Sequence, residues 1–148
     1  MTTIVYHHES RTIATDGMIS RGGIIMSTDS EKVVEVEGVQ FFFCGKLCDE
    51  QLMIDGYFGK ELKEVPGCRA IVIDSGAAYL VAANNDAVIE KSPLSFNEAI
   101  GSGEEFALSA MDFGCDAEKA VEYACSRDVY SGGKIRIYHL DELPTLKE

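Results

Sequence analysis

Short β-branched and aromatic runs dominate the first third of the chain and predict β-strands. The runs Thr2–His7 and Arg11–Thr15 are separated by three polar residues, a spacing that indicates a tight hairpin. The runs Val33–Glu37 and Val39–Cys44 flank a single glycine and predict a second hairpin. Because Phe41–Phe43 shows no polar alternation, we expect that strand to be covered on both faces.

The pattern changes from strand to helix after Gly45. Apolar positions three to four residues apart predict an amphipathic helix over Asp49–Leu62, which ends before Pro66. The other expected elements are a short run at Ile24–Met26, strands at Cys68–Ile73, Ala78–Ala83 and Ala87–Glu90, a helix at Glu104–Phe113, a second helix capped by Asp116 and running to Ser126, a last strand at Lys134–Leu140, and a loose polar tail over 141–148.

This order of elements favours sheets with helices packed outside them over alternating βαβ units. We therefore predict an α+β fold, a four-layer αββα sandwich of two mainly antiparallel sheets, as one domain over residues 1–148. Phe42 and the apolar residues of Val33–Val36 and Ile71–Ile73 are expected in its interior.

Charge and cysteine content narrow the classes of function. The chain has 13 Lys and Arg residues against 25 Asp and Glu residues, and a net charge of -12 disfavours nucleic-acid and anionic membrane surfaces. Five cysteines without CxxC spacing, no signal segment and no long apolar run indicate a cytoplasmic protein with free thiols. His7, His8 and His139 lack metal-ligand spacing, so we predict neither a metal site nor a cofactor.

Thr2 is the residue that first suggests chemistry. It follows Met1 and precedes an apolar strand, and a small second residue permits the aminopeptidase to remove the initiator methionine. Thr2 would then carry both a hydroxyl nucleophile and an α-amine, whose ordinary pKa of about 8 suits a general base. The alternative is an ordinary amino terminus, since Met-Thr-Thr opens many proteins.

Six short segments form a further pattern along the chain, namely Thr2–Val5, Thr15–Gly17, Glu31–Val33, Cys44–Gly45 with Asp49 beyond, Ile100–Gly103 and Arg127–Gly133. Their order and approximate spacing resemble those of proteasome β-type subunits and of the HslV-type peptidases of bacteria. Each segment alone is a common turn, loop or strand end, but together they span nearly the whole chain. The resemblance implies an N-terminal nucleophile (Ntn) hydrolase fold.

The resemblance also implies roles for individual residues. Thr2 would be the nucleophile, Lys32 would lie beside its hydroxyl, and Asp16 would hold Lys32. The Gly45 N–H would stabilise the oxyanion, and the remaining members of the site would be Ser102, Asp128 and Ser131, which support the amine. Lys32→Ala is expected to abolish hydrolysis while the fold is preserved.

The specificity pocket implied by the resemblance carries no charge. Its residues would be Ser20, Ser30, Phe43 and Leu47, which predict an apolar or neutral peptide substrate. The expected partners are a peptide or unfolded protein as substrate, further copies of the chain in a ring or smaller closed assembly, and an ATP-dependent unfoldase.

One departure keeps other functions open. Members of the family usually have two long helices between the oxyanion glycine and the next strand, whereas this sequence predicts only one short helix there. We therefore expect one reduced helical layer. The alternatives to a threonine peptidase are a small-molecule amidase on the same framework and a catalytically silent assembly subunit.

Overall fold

The structure is a computed structural model that describes residues 2–143; Met1 and residues 144–148 lie outside the described part. Its strands and α-helices in chain order are β1 (Thr3–His7), β2 (Thr12–Thr15), β3 (Ile19–Arg21), β4 (Ile24–Ser27), β5 (Val33–Val36), β6 (Val39–Gly45), α1 (Glu50–Tyr57), β7 (Cys68–Asp74), β8 (Ala77–Ala83), β9 (Ile89–Pro93), β10 (Glu98–Gly101), α2 (Glu104–Asp112), α3 (Ala117–Arg127) and β11 (Arg136–His139).

The strands form two larger sheets and one hairpin. The first sheet has the order β10-β1-β2-β11, the second has the order β5-β6-β7-β8-β9, and β3 pairs with β4 alone. The pairings between these strands are antiparallel. In the first sheet Ile4 lies opposite Thr15, which brings the start of β1 next to the end of β2.

The apolar residues divide the fold into four layers. Side chains from both sheets meet in a central core that includes Ile4, Ile13, Phe42 and Ile71. The outer face of the first sheet packs against α2 and α3, and the outer face of the second sheet packs against α1. The predicted αββα sandwich is therefore confirmed.

Strand β6 shows why the phenylalanine run lacks polar alternation. Successive side chains of a strand point to opposite faces of the sheet. Phe42 enters the core between the sheets, whereas Phe41 and Phe43 pack in the cluster that contains Met53 of α1. The three rings are 0–3% exposed, so the expectation of a strand covered on both faces is confirmed.

Several predicted elements differ from the observed ones. Helix α1 covers only Glu50–Tyr57, because Gly59 adopts a φ of +97° that a right-handed helix cannot contain. The strand predicted at Ala87–Glu90 begins only at Ile89, because Asn84 Oδ1 accepts hydrogen bonds from the Asp86 and Val88 N–H groups and holds a turn. Strands β3 and β10 were not predicted.

The helical layer on the second sheet is a single helix of eight residues, as expected for a reduced layer. Most apolar side chains of this layer are buried or partly buried. Met53 is fully buried, Leu52 and Tyr57 are partly buried, and only Phe58 is exposed, at 44%. The valines of β5 were expected in the interior, but Val33, Val34 and Val36 are only partly buried. The reason is that β5 is an edge strand of its sheet.

The start of the tail that was expected to be loose is anchored. Leu140–Glu142 forms a single 3-10 turn, and Arg11 contacts the Asp141 carboxylate at 3.0 Å. Residues 144–148 of that tail lie outside the described range. Within residues 2–143, the helices are too short or too polar to cross a lipid bilayer.

Candidate active site

The antiparallel register of β1 and β2 creates the centre of the site. Asp16 directly follows β2 and lies across from Thr3, whose carbonyl oxygen accepts the Asp16 N–H at 3.1 Å. In return, the Thr3 N–H donates to Asp16 Oδ1 at 3.1 Å, and the Gly132 N–H donates to Asp16 Oδ2 at 3.1 Å. Asp16 is fully buried, so these bonds and one cation replace the water that its carboxylate has lost.

Lys32 is the cation, and it directly precedes β5. Its ammonium donates to Thr2 Oγ1 at 2.7 Å and to the Met18 carbonyl oxygen at 2.8 Å, and it contacts Asp16 Oδ1 at 3.3 Å. The Lys32 side chain is only 7% exposed. Because an ammonium has three N–H bonds, these partners account for all of them. The structure thus brings Thr2, Asp16 and Lys32 together.

A second polar cluster lies beside Thr2 and contains the three predicted supporting residues. Ser102 and Ser131 both donate to Asp128 Oδ2, at 2.5 Å and 2.6 Å. The Ser102 hydroxyl oxygen also lies 3.4 Å from the Thr2 carbonyl oxygen, and Ser131 Oγ lies 2.7 Å from Thr3 Oγ1. The cluster therefore holds the main chain of Thr2 and the side chain of Thr3.

The hydrogen bonds of this cluster also act on the ionisation of Asp128. Burial opposes the charged carboxylate, but the hydroxyls of Ser102 and Ser131 and the Tyr130 N–H favour it. Their combined effect lowers the pKa of Asp128 below its ordinary value. Asp128 is thus held as a charged acceptor.

Gly45 ends β6 at the edge of the cleft and cannot carry a side chain there. Its φ is +107°, and a Cβ atom would lie 2.6 Å from the Gly67 carbonyl oxygen. The adjacent residue Cys44 is buried beside Arg69. Burial raises the pKa of the Cys44 thiol, although the Arg69 charge opposes this, so the thiol stays protonated and is a poor nucleophile.

A cleft of about 180 Å³ opens beside Thr2, and Lys32 and Gly45 form part of its lining. Three of the four predicted pocket residues line it, namely Ser20, Phe43 and Leu47. Ser30 does not: its N–H donates to the Gly17 carbonyl oxygen, and its own carbonyl oxygen accepts from Arg136.

The cleft also contains charged residues that the predicted pocket did not include. Glu31 and Glu50 both line the cleft. Glu31 directly precedes Lys32, and Glu50 is the first residue of α1, which turns back over the cleft after β6. Only the path of the chain between β6 and α1 brings Glu50 to this position, so the sequence offered no direct signal for it.

The structure adds further participants that sequence reasoning missed. The N–H groups of Thr3 and Gly132 and the carbonyl oxygen of Met18 bind Asp16 or Lys32 through the main chain. Main-chain groups occur at every residue, so no pattern of side chains distinguishes them. The Thr3 hydroxyl could have been suspected from its position next to Thr2.

Comparisons with known proteins identify the fold. The sequence matches no family model and no curated protein. Solved structures are nevertheless similar over 93% of this chain and almost all of theirs. The fold is therefore that of HslV- and proteasome-type Ntn structures, and the predicted resemblance is confirmed.

Two solved proteins illustrate the similarity. One is BPH of Thiobacillus denitrificans, whose complex with epoxomicin has a TM-score of 0.70 and 18% identity, with 97% of that chain covered. A second structure of BPH gives a TM-score of 0.69 at 17% identity, with 96% of that chain covered. The other is eukaryotic HslV from Trypanosoma brucei, with a TM-score of 0.68, 20% identity and 98% of that chain covered.

Burial of the Lys32–Asp16 pair predicts that Lys32→Ala lowers the stability of the protein. The substitution leaves the Asp16 carboxylate buried without its cation, which typically costs about 3–5 kcal/mol of unfolding free energy. We expect chemical denaturation to show a loss of this size. The control is Lys60→Ala, since Lys60 is 72% exposed and pairs with Asp55 at 3.7 Å; it should lose less than about 1 kcal/mol. Equal losses for the two variants would contradict a buried, coupled pair.

The lowered pKa of Asp128 predicts a pH-dependent contribution to stability. A carboxylate with a lowered pKa in the folded state stabilises fully above its ordinary value near 4, and this stabilisation disappears as the pH falls further. Asp128→Asn should therefore lower the unfolding free energy by about 1–3 kcal/mol at pH 7 and by less as the pH drops below about 4. Denaturation across this range tests it, with exposed Asp112→Asn as the control. A deficit that stays constant with pH would contradict the prediction.

Proposed function

We propose that this protein is an N-terminal threonine peptidase that cleaves peptide bonds with Thr2 as its nucleophile. The fold is that of peptidases of the HslV and proteasome type. The observation that carries the proposal is the Lys32 ammonium 2.7 Å from Thr2 Oγ1, held in place by a fully buried Asp16. Lys32 also pairs with Asp16, but its hydrogen bond to Thr2 Oγ1 gives it a direct role in activating that hydroxyl.

The first step begins once Met1 has been removed and the α-amine of Thr2 is free. The amine takes the proton of the Thr2 hydroxyl as the oxygen attacks the substrate carbonyl carbon. The Lys32 charge favours the neutral amine, which is the form able to accept that proton. Its N–H bond to Oγ1 also stabilises negative charge that develops on the attacking oxygen.

The carbonyl oxygen becomes an oxyanion during this attack, and the Gly45 N–H is the proposed donor to it. The N–H groups of a strand point alternately to its two sides. The Phe43 N–H donates to the Lys32 carbonyl oxygen, so the Gly45 N–H, two residues further on, is directed to the same side of β6. Beyond Lys32 that side faces the cleft that Thr2 lines.

The second step releases the products. The C–N bond breaks, the leaving amine takes the proton from the Thr2 ammonium, and an ester remains on Thr2. A water molecule then gives a proton to the amine and attacks the ester carbon. The bond from that carbon to Thr2 Oγ1 breaks, Oγ1 takes the proton from the ammonium, and the carboxylic acid product leaves. The Ser102 hydroxyl, which donates to Asp128 and lies 3.4 Å from the Thr2 carbonyl oxygen, is the proposed group that helps to position the amine in both steps.

The proposal predicts distinct results for two substitutions at Thr2. Thr2→Ser keeps a hydroxyl and an amine on one residue and should retain measurable hydrolysis of fluorogenic peptides. Thr2→Ala leaves the Lys32–Asp16 pair intact but has no nucleophile, so its hydrolysis should fall to background. Thr2→Ser is thus the matched control. A Thr2→Ala variant as active as the parent would refute the assignment.

An intact-mass measurement and a binding measurement accompany these assays. The intact mass should be lower by one methionine than that of the full sequence, with Thr2 at the amino terminus. Because one BPH structure holds epoxomicin, this compound is also a direct probe of the site. Its binding should depend on Thr2. Full retention of Met1 in protein from its source would exclude the mechanism above.

We further propose that the protein works in the cytoplasm as a closed homo-oligomer that admits peptides or unfolded protein from an ATP-dependent unfoldase. Exposed apolar side chains support self-association, notably Ile24 at 61%, Ile25 at 60% and Phe113 at 92%. Light scattering at micromolar concentration should give a defined mass above that of the monomer. A single monomeric species would favour the small-molecule amidase, which needs the same site but no chamber and is consistent with the short α1.

A further inference from the structure

The cleft beside Thr2 has a net negative charge, because its cation is already paired with a buried carboxylate. Lys32 is the cation among the residues that line it, and the Lys32 N–H bonds are directed to Thr2, Asp16 and Met18. The buried Asp16 carboxylate therefore balances the charge of Lys32. Glu31 and Glu50 remain as the charges that a substrate side chain would meet.

Of these two carboxylates, Glu50 should interact more strongly with a substrate side chain because it is less hydrated than Glu31. It is half-buried at the start of α1, where a helix stabilises a carboxylate. Burial raises the pKa of Glu50, and the Lys32 charge opposes this. A carboxylate that has lost part of its hydration gains more from a cationic partner than a fully exposed one does. Glu31 is exposed and adds to the negative potential, while its Oε1 accepts from the Tyr138 hydroxyl at 3.4 Å.

Apolar side chains complete the walls of the cleft. Val34, Phe43 and Leu47 all line it, and Phe43 is nearly fully buried. Lysine and arginine side chains combine an apolar stem with a charged end, which suits apolar walls that lead to a carboxylate. An acidic side chain would face repulsion from Glu50, and a leucine side chain would leave Glu50 without a partner.

We propose that this cleft binds the substrate residue on the carbonyl side of the cleaved bond and selects lysine or arginine there, with Glu50 as the principal specificity-determining residue. The identity of the cleft as a substrate pocket rests on the proposed peptidase function. The preference for a basic side chain rests on the residues that line the cleft.

The first test compares hydrolysis of three fluorogenic peptides that differ only in that residue, which is lysine, leucine or glutamate. We expect kcat/KM to be highest for lysine and lowest for glutamate. Glu50→Gln should lower the lysine-to-leucine ratio of kcat/KM by about tenfold, and Glu31→Gln should lower it less. The matched control is Glu35→Gln, since Glu35 lies exposed on β5 outside the cleft and its removal makes the same change in charge. Equal hydrolysis of the lysine and leucine peptides would overturn the inference.

The second test needs no catalysis. Binding of uncleaved peptides to the Thr2→Ala variant is measured by calorimetry, with lysine compared with its uncharged analogue norleucine. We expect lysine to bind about tenfold more tightly, and we expect Glu50→Gln in the same background to remove the difference. Equal binding would overturn the inference. Tighter lysine binding by a protein that hydrolyses none of the peptides would support the preference for a basic side chain and refute the peptidase proposal.

Discussion

The buried carboxylate of Asp16 is the group on which the arrangement of the site depends. It accepts hydrogen bonds from the N–H groups of Thr3 and Gly132 and pairs with the Lys32 ammonium. These partners come from the start of β1, the loop before β11 and the residue before β5. A fully buried carboxylate is stable only when it is paired in this way. One charge therefore joins both sheets at the place where Thr2 lies.

Packing between the layers of the sandwich fixes the position of β6, which forms one edge of the cleft. Phe42 is anchored in the core between the sheets, and Phe41 and Phe43 are anchored against α1. Strand β6 is thus fixed on both faces up to Gly45, where the chain turns into α1. The reduced helical layer still contains the helix that matters for the cleft, because α1 begins with Glu50.

The charged residues of the site fall into two groups that differ in burial and in pairing. Lys32 and Asp16 are buried and paired, so they act on the neighbouring hydroxyl without giving the cleft a net positive charge. Glu31 and Glu50 line the open space and determine the charge that a ligand meets. In the proposed function, hydrolysis and selectivity would therefore depend on different charges that lie within one cleft.

The sequence by itself determined most of the layers and the residues that carry side-chain chemistry. Runs of β-branched and aromatic residues predicted β1, β2 and β6, because the preference of such residues for strands is a local property of the sequence. The order of Thr2, Asp16, Lys32 and Gly45 indicated a site, and the structure brings the first three into contact. Only the tertiary structure decided which main-chain groups bind Asp16, that β10 pairs with β1, and that Glu50 rather than Ser30 lines the cleft. These features depend on contacts between residues far apart in the chain, and neither a main-chain N–H nor the path of a loop leaves a pattern in the sequence.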